Sequence, residues 1–214
     1  MYYPMFVKLQ NKKCIVLGGG QVAERKICLL LEAGGQVVLI SPEITEKLKS
    51  LVINNKIEYL NRKYKKGDLK GAYIVIAATD SPMVNKKIYE ESSKSGIMIN
   101  IVDAPELCDF ILPSFIKRGP LMITVTTDGE SPALAKKIRK DIEKIYGEEY
   151  GAFTTLLGSL RERIQEEIPE EKSRKKFWEI LLESNIPQLL KERKKEDVEE
   201  IIEKASYSIK EMSI

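Results

Sequence analysis

The run from Ile15 to Ala23 constrains the fold most, because it joins an apolar stretch to a glycine-rich turn and then to the start of a helical pattern. Its spacing is G-x-G-x-x-A, in which Gly18 permits a tight turn, Gly20 lets the backbone approach a pyrophosphate, and Ala23 keeps the helix close to the sheet. The N-terminus of that helix offers its N–H groups to an anion. The motif therefore predicts a dinucleotide-binding turn.

The residues that follow complete a β-α-β unit. Ala23, Ile27 and Leu30 recur at helical spacing on one face, Gly34 ends the helix, and residues 37–40 have the continuous apolar character of a buried parallel strand. A glycine turn that only connects a strand to a helix is the alternative, and this context disfavours it.

The composition is that of a soluble globular protein, with 43% hydrophobic residues in a chain of 214. No apolar run approaches the roughly 18 residues of a membrane span, and the N-terminus lacks the pattern of a signal peptide. We therefore expect a cytoplasmic protein that does not enter a membrane. Cys14, Cys28 and Cys108 lie far apart in apolar surroundings, which predicts small buried hydrophobic side chains instead of disulfides or a metal site.

Histidine is absent from the chain, which removes the commonest metal ligand and the usual general base at neutral pH. Acid–base chemistry must therefore use carboxylates, Lys, Tyr or Cys. The net charge of +3 is too small to indicate a nucleic-acid partner, and no recognised nucleic-acid-binding motif is present. We predict neither a nucleic-acid partner nor a protein-bound metal.

Two further strands are predicted at residues 72–78 and 97–102, with a helix between them that begins near Pro82 after Asp80 or Ser81 as its cap. Ligands of open parallel sheets bind beyond the carboxyl ends of the strands. That rule predicts a cofactor site formed by residues from four such ends: Gly18, Gly20, Gln21, Val22, Ala23, Ser41, Pro42, Glu43, Thr79, Asp80, Asn100 and Val102.

The pattern changes after residue 110, where two strand-like runs at 110–116 and 121–127 flank a turn and indicate an antiparallel hairpin. The hairpin either stands apart or extends the parallel sheet as edge strands. Ser131 and Pro132 then mark the start of a helix. The rest of the chain has a charged helical pattern.

Five ordered motifs resemble the precorrin-2 dehydrogenase family, whose members occur alone or as the N-terminal part of sirohaem synthase. They are G-G-G-Q-V-A-E-R-K at 18–26, A-A-T-D at 77–80, N-I-V-D-A-P at 100–105, F-I-L-P-S at 110–114 and G-E-S-P-A-L-A at 129–135. The resemblance implies an α/β protein with a Rossmann-type NAD-binding domain over residues 1–112. A β-hairpin/helix dimerisation segment over 113–146 and a small all-helical domain over 147–214 follow.

The resemblance also implies a function, the NAD-dependent oxidation of precorrin-2 to sirohydrochlorin by a homodimer. Some family members also insert ferrous iron to give sirohaem, and both outcomes stay open for this chain. The aspartate of the N-x-V-D-A-P motif serves catalysis in the family, and Asp103 holds that position. A turn-forming aspartate before Pro105 is the alternative reading of the same residue.

The family's substrate carries several carboxylates, so cationic side chains are expected to bind it. Lys136 and Lys137 follow the predicted helix start at Ser131. We therefore expect these three residues to bind substrate, although a solvated helix face has the same pattern. NAD is favoured over NADP, because the second strand ends in Ser41-Pro42 with Glu43 next and no arginine in that loop.

Two other functions compete with the dehydrogenase. One is an NAD-sensing regulatory module without redox chemistry, since a fold does not fix a function. The other is an iron chelatase that keeps its nucleotide site as a relic. A dehydrogenase consumes NAD when tetrapyrrole is present, whereas a sensor only binds it.

Overall fold

A computed structural model describes residues 2–211 of the chain as two compact units, one up to Leu112 and the other from Pro113. The first unit is a parallel sheet covered by helices on both faces, and the second consists of a hairpin and helices. The predicted α/β class with a Rossmann-type first part is confirmed.

The five strands of the first unit all run parallel, in the order β3-β2-β1-β4-β5. The strands are β1 Lys13–Leu17, β2 Gln36–Ile40, β3 Glu58–Leu60, β4 Ile74–Ala77 and β5 Met98–Ile101. The chain passes from β3 at one edge to β4 beside β1, so the strand order reverses at β1. Ligands of such sheets bind at this switch point.

Helices α1 Gln21–Glu32, α2 Glu46–Ile53 and α3 Pro82–Ser95 flank the sheet. Alternate residues of β1 point to opposite faces: Cys14 and Val16 join a core with Ile27 of α1, whereas Leu17 joins a second core with Ile88 of α3. Burial on both faces explains why the strands are continuously apolar instead of alternating.

Local capping sets the helix ends. Ser81 caps α3 by accepting the N–H of Val84, and Gly96 ends that helix in the left-handed conformation with φ of +63°. Gly34 has φ of +77° where the chain turns from α1 to β2. Of the two predicted caps of α3, Ser81 is therefore the one used.

The hairpin of the second unit consists of β6 Ser114–Arg118 and β7 Leu121–Val125, which pair antiparallel as a two-stranded sheet of their own. The alternative in which these strands extend the parallel sheet is wrong. Helix α4 Pro132–Ile145 follows, capped by Ser131 as predicted.

Four more helices complete the unit: α5 Glu149–Glu167, α6 Glu171–Glu183, α7 Ile186–Lys191 and α8 Lys195–Glu211. Pro169 lies between α5 and α6, and Pro187 lies in the first turn of α7. Phe153 and Phe177 are buried in the helical core, and Trp178 packs against it. Within residues 2–211, no helix is both long and apolar enough to cross a membrane.

Candidate functional site

The three glycines after β1 have different surroundings. Gly18 has φ of +101°, and a Cβ there would lie 2.0 Å from the Ala78 carbonyl oxygen. A Cβ on Gly19 would lie 2.0 Å from the Glu43 carbonyl oxygen, whereas one on Gly20 would meet nothing within 4 Å. Gly18 and Gly19 are therefore required for packing, and Gly20 leaves open space beside the helix that follows.

That space lies at the N-terminus of α1. Gly20 is the N-cap residue and supplies no side-chain hydrogen bond to the first turn, and Gln21 and Val22 are exposed. The unpartnered N–H groups and the positive end of the helix dipole favour an anion here. Ala23 is fully buried, which brings α1 close to the sheet as predicted. An uncapped helix start beside a glycine with open space fits the pyrophosphate of a dinucleotide.

The loop after β2 packs against this turn. The Ser41 hydroxyl, in a side chain that is 5% exposed, donates to the Glu43 carbonyl oxygen at 2.6 Å. The Gly19 carbonyl accepts the N–H of Thr45 at 3.1 Å. Pro42 and Glu43 are exposed at this edge. Ser41 therefore shapes the loop, and the Glu43 side chain extends into solvent.

A hydrogen bond that the sequence does not reveal joins α1 to the start of α2. The Thr45 hydroxyl donates to Glu24 Oε2 at 2.5 Å while its oxygen caps α2. Lys47 Nζ lies 3.8 Å from the same carboxylate. Glu24 thereby fixes α1 relative to the loop after β2.

The end of β4 is held by a pair of side-chain contacts. The Thr79 hydroxyl lies 2.6 Å from Asn85 Oδ1, and Asn85 Nδ2 donates to the Thr79 carbonyl oxygen at 3.1 Å. Asn85 is buried, whereas Asp80 is exposed at the same edge. Thr79 and Asn85 therefore set the path of the chain between β4 and α3.

Asp103 lies just beyond β5, with an exposed side chain and a left-handed backbone at φ of +63°. The N–H of Val102 donates to the Ala77 carbonyl oxygen at 2.9 Å, which joins the ends of β5 and β4. Asn100 is buried and donates to the Phe110 carbonyl oxygen at 3.0 Å. This bond uses the Asn100 amide N–H within the protein. A direct contact of Asn100 with a cofactor stays a prediction.

These strand ends meet along one edge. Leu17 pairs with Ile40 on one side and with Ala77 on the other, and Ala77 pairs with Ile101. The loops that begin at Gly18, Ser41, Ala78 and Val102 therefore share the carboxyl edge. Parallel pairing thus brings the predicted cofactor residues and Asp103 to one side of the sheet.

Two residues near β5 were not predicted as part of the site. Lys26 of α1 is half-buried, its Nζ lies 3.4 Å from Asn100 Oδ1, and burial lowers the pKa of its ammonium. The Cys108 thiol accepts the N–H of Ile101 at 3.1 Å, and burial raises its pKa. Lys26 lies inside the first motif, but the contacts of both residues depend on the tertiary structure.

The prediction that all three cysteines are buried hydrophobic residues is wrong in part. Cys14 is fully buried, and burial raises its pKa to about 11. Cys28 and Cys108 are only half-buried, and Cys108 is a hydrogen-bonding member of the turn after β5.

The predicted substrate residues belong to the second unit. Ser131 accepts the N–H of Leu134 at 3.3 Å, which is the capping bond of α4. Lys136 and Lys137 are exposed, and Lys137 Nζ lies 3.1 Å from an Asp141 carboxylate oxygen. Among residues 2–211, no group of three or more His, Cys, Asp or Glu side chains could hold a metal ion.

Three family models match successive parts of the chain. The model described as putative NAD(P)-binding matches residues 5–114, the one described as sirohaem biosynthesis protein central matches 118–145, and the one described as sirohaem synthase dimerisation region matches 149–205.

Similar proteins agree with these matches. A siroheme synthase 3 of Aeromonas hydrophila is 40% identical, covering 85% of this chain and 39% of its own length. A siroheme synthase of Thioalkalivibrio sulfidiphilus is 37% identical, covering 95% and 42%. The chain thus spans about two fifths of the length of these curated relatives.

A solved structure resembles nearly the whole chain. It is described as SirC, precorrin-2 dehydrogenase, and it superposes with a TM-score of 0.74 at 26% identity. The match covers 94% of this chain and 98% of that protein.

Proposed function

The chain belongs to the family of precorrin-2 dehydrogenases and sirohaem synthases, and from this membership we propose that it oxidises precorrin-2 to sirohydrochlorin with NAD in sirohaem biosynthesis. The observation that carries the proposal is the shared carboxyl edge of β1 and β5. It combines an uncapped, glycine-lined helix start with an exposed carboxylate at Asp103.

The residues at the end of β1 fit the cofactor. The open space beside Gly20 and the first N–H groups of α1 would hold the pyrophosphate. The loop after β2 favours NAD over NADP, because it contains no arginine for a 2′-phosphate. The nearest cation, Lys47, lies beside Glu24 instead.

Oxidation of the macrocycle by two electrons removes one hydride and one proton. NAD supplies the hydride acceptor when it is bound. The chain must then take the proton, and without histidine a carboxylate is the suitable acceptor. Asp103 is proposed for this role, because its side chain is exposed at the same edge as the glycine turn.

The substrate's carboxylates are proposed to bind the cations of α4 near Ser131. Lys137 and Lys144 both lie 3.1 Å from oxygens of Asp141, so part of their charge is already compensated. Lys136 is exposed and forms no ion pair within the described residues. It is therefore the stronger candidate of the two predicted lysines for binding a carboxylate.

Three finer proposals follow from family membership. The protein is a homodimer, supported by the match of residues 149–205 to a dimerisation region. Ferrous iron is a second substrate, coordinated by the tetrapyrrole nitrogens, with Asp103 as the base that removes their protons. The protein is proposed to be cytoplasmic, in keeping with a composition of 43% hydrophobic and 31% charged residues.

The test is anaerobic incubation with precorrin-2 and NAD, followed by the tetrapyrrole spectrum and NADH formation, before and after addition of ferrous iron. NADH formed together with sirohydrochlorin supports the dehydrogenase, and an iron-dependent spectral change beyond the enzyme-free rate adds the chelatase. Binding of NAD without NADH formation contradicts the proposal and favours the sensor. Iron insertion without NAD consumption favours a chelatase with a relic nucleotide site.

A further inference from the structure

The turn that carries Asp103 needs to be held in place. A left-handed backbone is unfavourable for a non-glycine residue, although aspartate tolerates it better than most residues. The bond from Ala104 N–H to the Ile101 carbonyl, which closes this turn, is long at 3.5 Å. Contacts from outside the turn are therefore important for holding its backbone in place.

The Cys108 thiol provides such contacts on both sides of Asp103. Its sulfur accepts the N–H of Ile101 at 3.1 Å, and it lies 3.2 Å from the Ile101 carbonyl oxygen and 3.3 Å from that of Ala104. The thiol hydrogen can be donated to one of these oxygens at a time. Cys108 thereby links the residues that precede and follow the turn.

A second set of contacts connects this turn to α1. Asn100 Nδ2 lies 3.6 Å from the Cys108 sulfur and 3.0 Å from the Phe110 carbonyl oxygen. Asn100 Oδ1 lies 3.4 Å from Lys26 Nζ. Lys26 belongs to the same helix whose N-terminus adjoins Gly20, so the contacts run from the cofactor helix to the Asp103 turn.

Lys26 is unusual for a lysine on a helix that flanks a sheet. Its side chain is half-buried, and within the described residues its ammonium forms a hydrogen bond with a neutral amide and no ion pair with a carboxylate. Removing an ammonium from water without a carboxylate partner is costly. An ammonium buried at such a cost is expected where its contact is needed, and here that contact is the one with Asn100.

We propose that Cys108 and Lys26 are positioning residues, which act through Asn100 and the backbone at 101–104 to hold the Asp103 carboxylate in its reactive place relative to α1. This inference rests on the proposed function, because it presumes that Asp103 takes part in the oxidation. Neither residue belongs to the glycine turn or to the first turn of α1, where the pyrophosphate is proposed to bind, so we expect each to act on turnover and to leave NAD binding unchanged.

The cysteine test compares Cys108→Ala and Cys108→Ser with Cys28→Ala, a half-buried cysteine on α1 that serves as the control. Cys108→Ala is expected to lower kcat roughly tenfold to a hundredfold, since small misplacements of a reacting group have effects of that size. The KM for NAD is expected to stay the same. Cys108→Ser recovers most of the lost kcat, because a hydroxyl can also accept the Ile101 N–H.

The lysine test compares Lys26→Met with Lys87→Met, an exposed lysine of α3. Lys26→Met keeps the apolar stem and removes the ammonium, and it is expected to lower kcat with an unchanged KM for NAD. Amide hydrogen exchange at Ile101 gives a reading independent of activity. Cys108→Ala should accelerate that exchange, whereas Cys28→Ala should not.

The outcomes separate this proposal from the proposed function. Wild-type protein that forms no NADH overturns both. Wild-type turnover combined with unchanged kcat in Cys108→Ala and Lys26→Met overturns the positioning role alone. A fall in kcat that serine does not restore, or that accompanies an equal rise in the KM for NAD, also overturns it.

Discussion

At the scale of single residues, the adjacent glycines after β1 differ in what they require. Gly18 has a left-handed φ and lies close to the Ala78 carbonyl. Any side chain there would be strained by the backbone conformation and would also collide with that carbonyl. Gly20 has φ of −79° and ψ of −175°, which any residue adopts, and open space beside it. The fold therefore does not require glycine here, in keeping with the proposal that the space is used by a ligand.

Substitution by alanine should separate these two roles. Gly18→Ala is expected to lower the free energy of unfolding by more than about 2 kcal/mol, because its Cβ would collide with backbone. Gly20→Ala is expected to leave unfolding nearly unchanged and to weaken NAD binding about tenfold or more, since its Cβ occupies the phosphate space. Denaturant unfolding and calorimetric titration measure the two effects.

Gly158→Ala is the control, because Gly158 lies on α5 with nothing within 4 Å of an added Cβ. It should not weaken NAD binding. Equal loss of NAD affinity in Gly158→Ala and Gly20→Ala would contradict a phosphate site at Gly20.

The structure is compatible with both interpretations of Asp103. The sequence suggests either a catalytic carboxylate or a turn-forming aspartate, and the structure shows an exposed carboxylate on a left-handed turn. The turn conformation is no argument against the proposed catalytic role, since strained backbone is common at functional sites.

At the scale of elements, local signals in the sequence predicted most boundaries. Ser81 and Ser131 start α3 and α4 as predicted, because their hydroxyls cap the first turns. The polar pattern of residues 43–54 predicts a helix that begins at residue 43, whereas α2 begins at Glu46, because Thr45 is its cap. A capping threonine next to a proline-containing loop is a weak signal, so this boundary was misplaced.

The contacts between elements could not be predicted in the same way. Periodicity indicates which face of α1 is buried, but it does not show that Lys26 reaches Asn100, since 74 residues separate them. The Cys108 contacts likewise depend on the chain turning back beside β5. Such hydrogen bonds require the tertiary arrangement.

The connection between β3 and β4 is held by two carboxylates. Asp68 forms two hydrogen bonds with the Arg62 guanidinium, at 2.7 and 2.8 Å, and accepts the N–H of Lys65 at 2.7 Å. Glu91 of α3 accepts the N–H groups of Gly67 and Leu69. This segment has little regular structure, so its order depends on these bonds.

Acid should weaken that segment in a defined pH range. The hydrogen bonds from Arg62 hold the pKa of Asp68 below its usual value, so the folded state prefers the ionised form. The resulting stability is present above the pKa of an unfolded aspartate, about 4, and is lost as the pH falls through the lower folded value.

Asp68→Asn is therefore expected to lower the free energy of unfolding at pH 7 by about 1–3 kcal/mol and to flatten its pH dependence below pH 4. Urea unfolding at a series of pH values measures both effects. Glu203→Gln, at an exposed position of α8, is the control. The same loss in both variants, or an unchanged acid dependence in Asp68→Asn, would count against this interpretation.

At the scale of the whole molecule, α4 presents apolar side chains that the described residues leave partly exposed. Leu134 is 48% exposed, Ile138 is 37% exposed and Ile145 is 64% exposed. Their spacing places them on one side of a helix. Together with the proposed homodimer, this apolar face is expected to become buried in the assembly.

Light scattering on the full chain tests this expectation. The wild-type mass should be twice the 24.4 kDa of one chain, and the double variant Leu134→Asp/Ile138→Asp should have the mass of a monomer. Ile53→Asp places the same charge on another exposed isoleucine, in α2, and should remain dimeric. A monomeric wild type would contradict the homodimer, and a dimeric double variant would exclude this face.

The most direct test of the account compares single-turnover NADH formation by wild-type protein and Asp103→Asn, under anaerobic conditions with precorrin-2. Asparagine also adopts the left-handed turn, so the variant should fold and bind NAD normally. Glu106→Gln, an exposed residue of the same turn, is the control. We predict one NADH per sirohydrochlorin from wild type and control. The rate of NADH formation by Asp103→Asn should be lower by a factor of about a hundred or more. Equal rates from all three proteins would contradict catalysis by Asp103, and absence of NADH from the wild type would contradict the dehydrogenase itself.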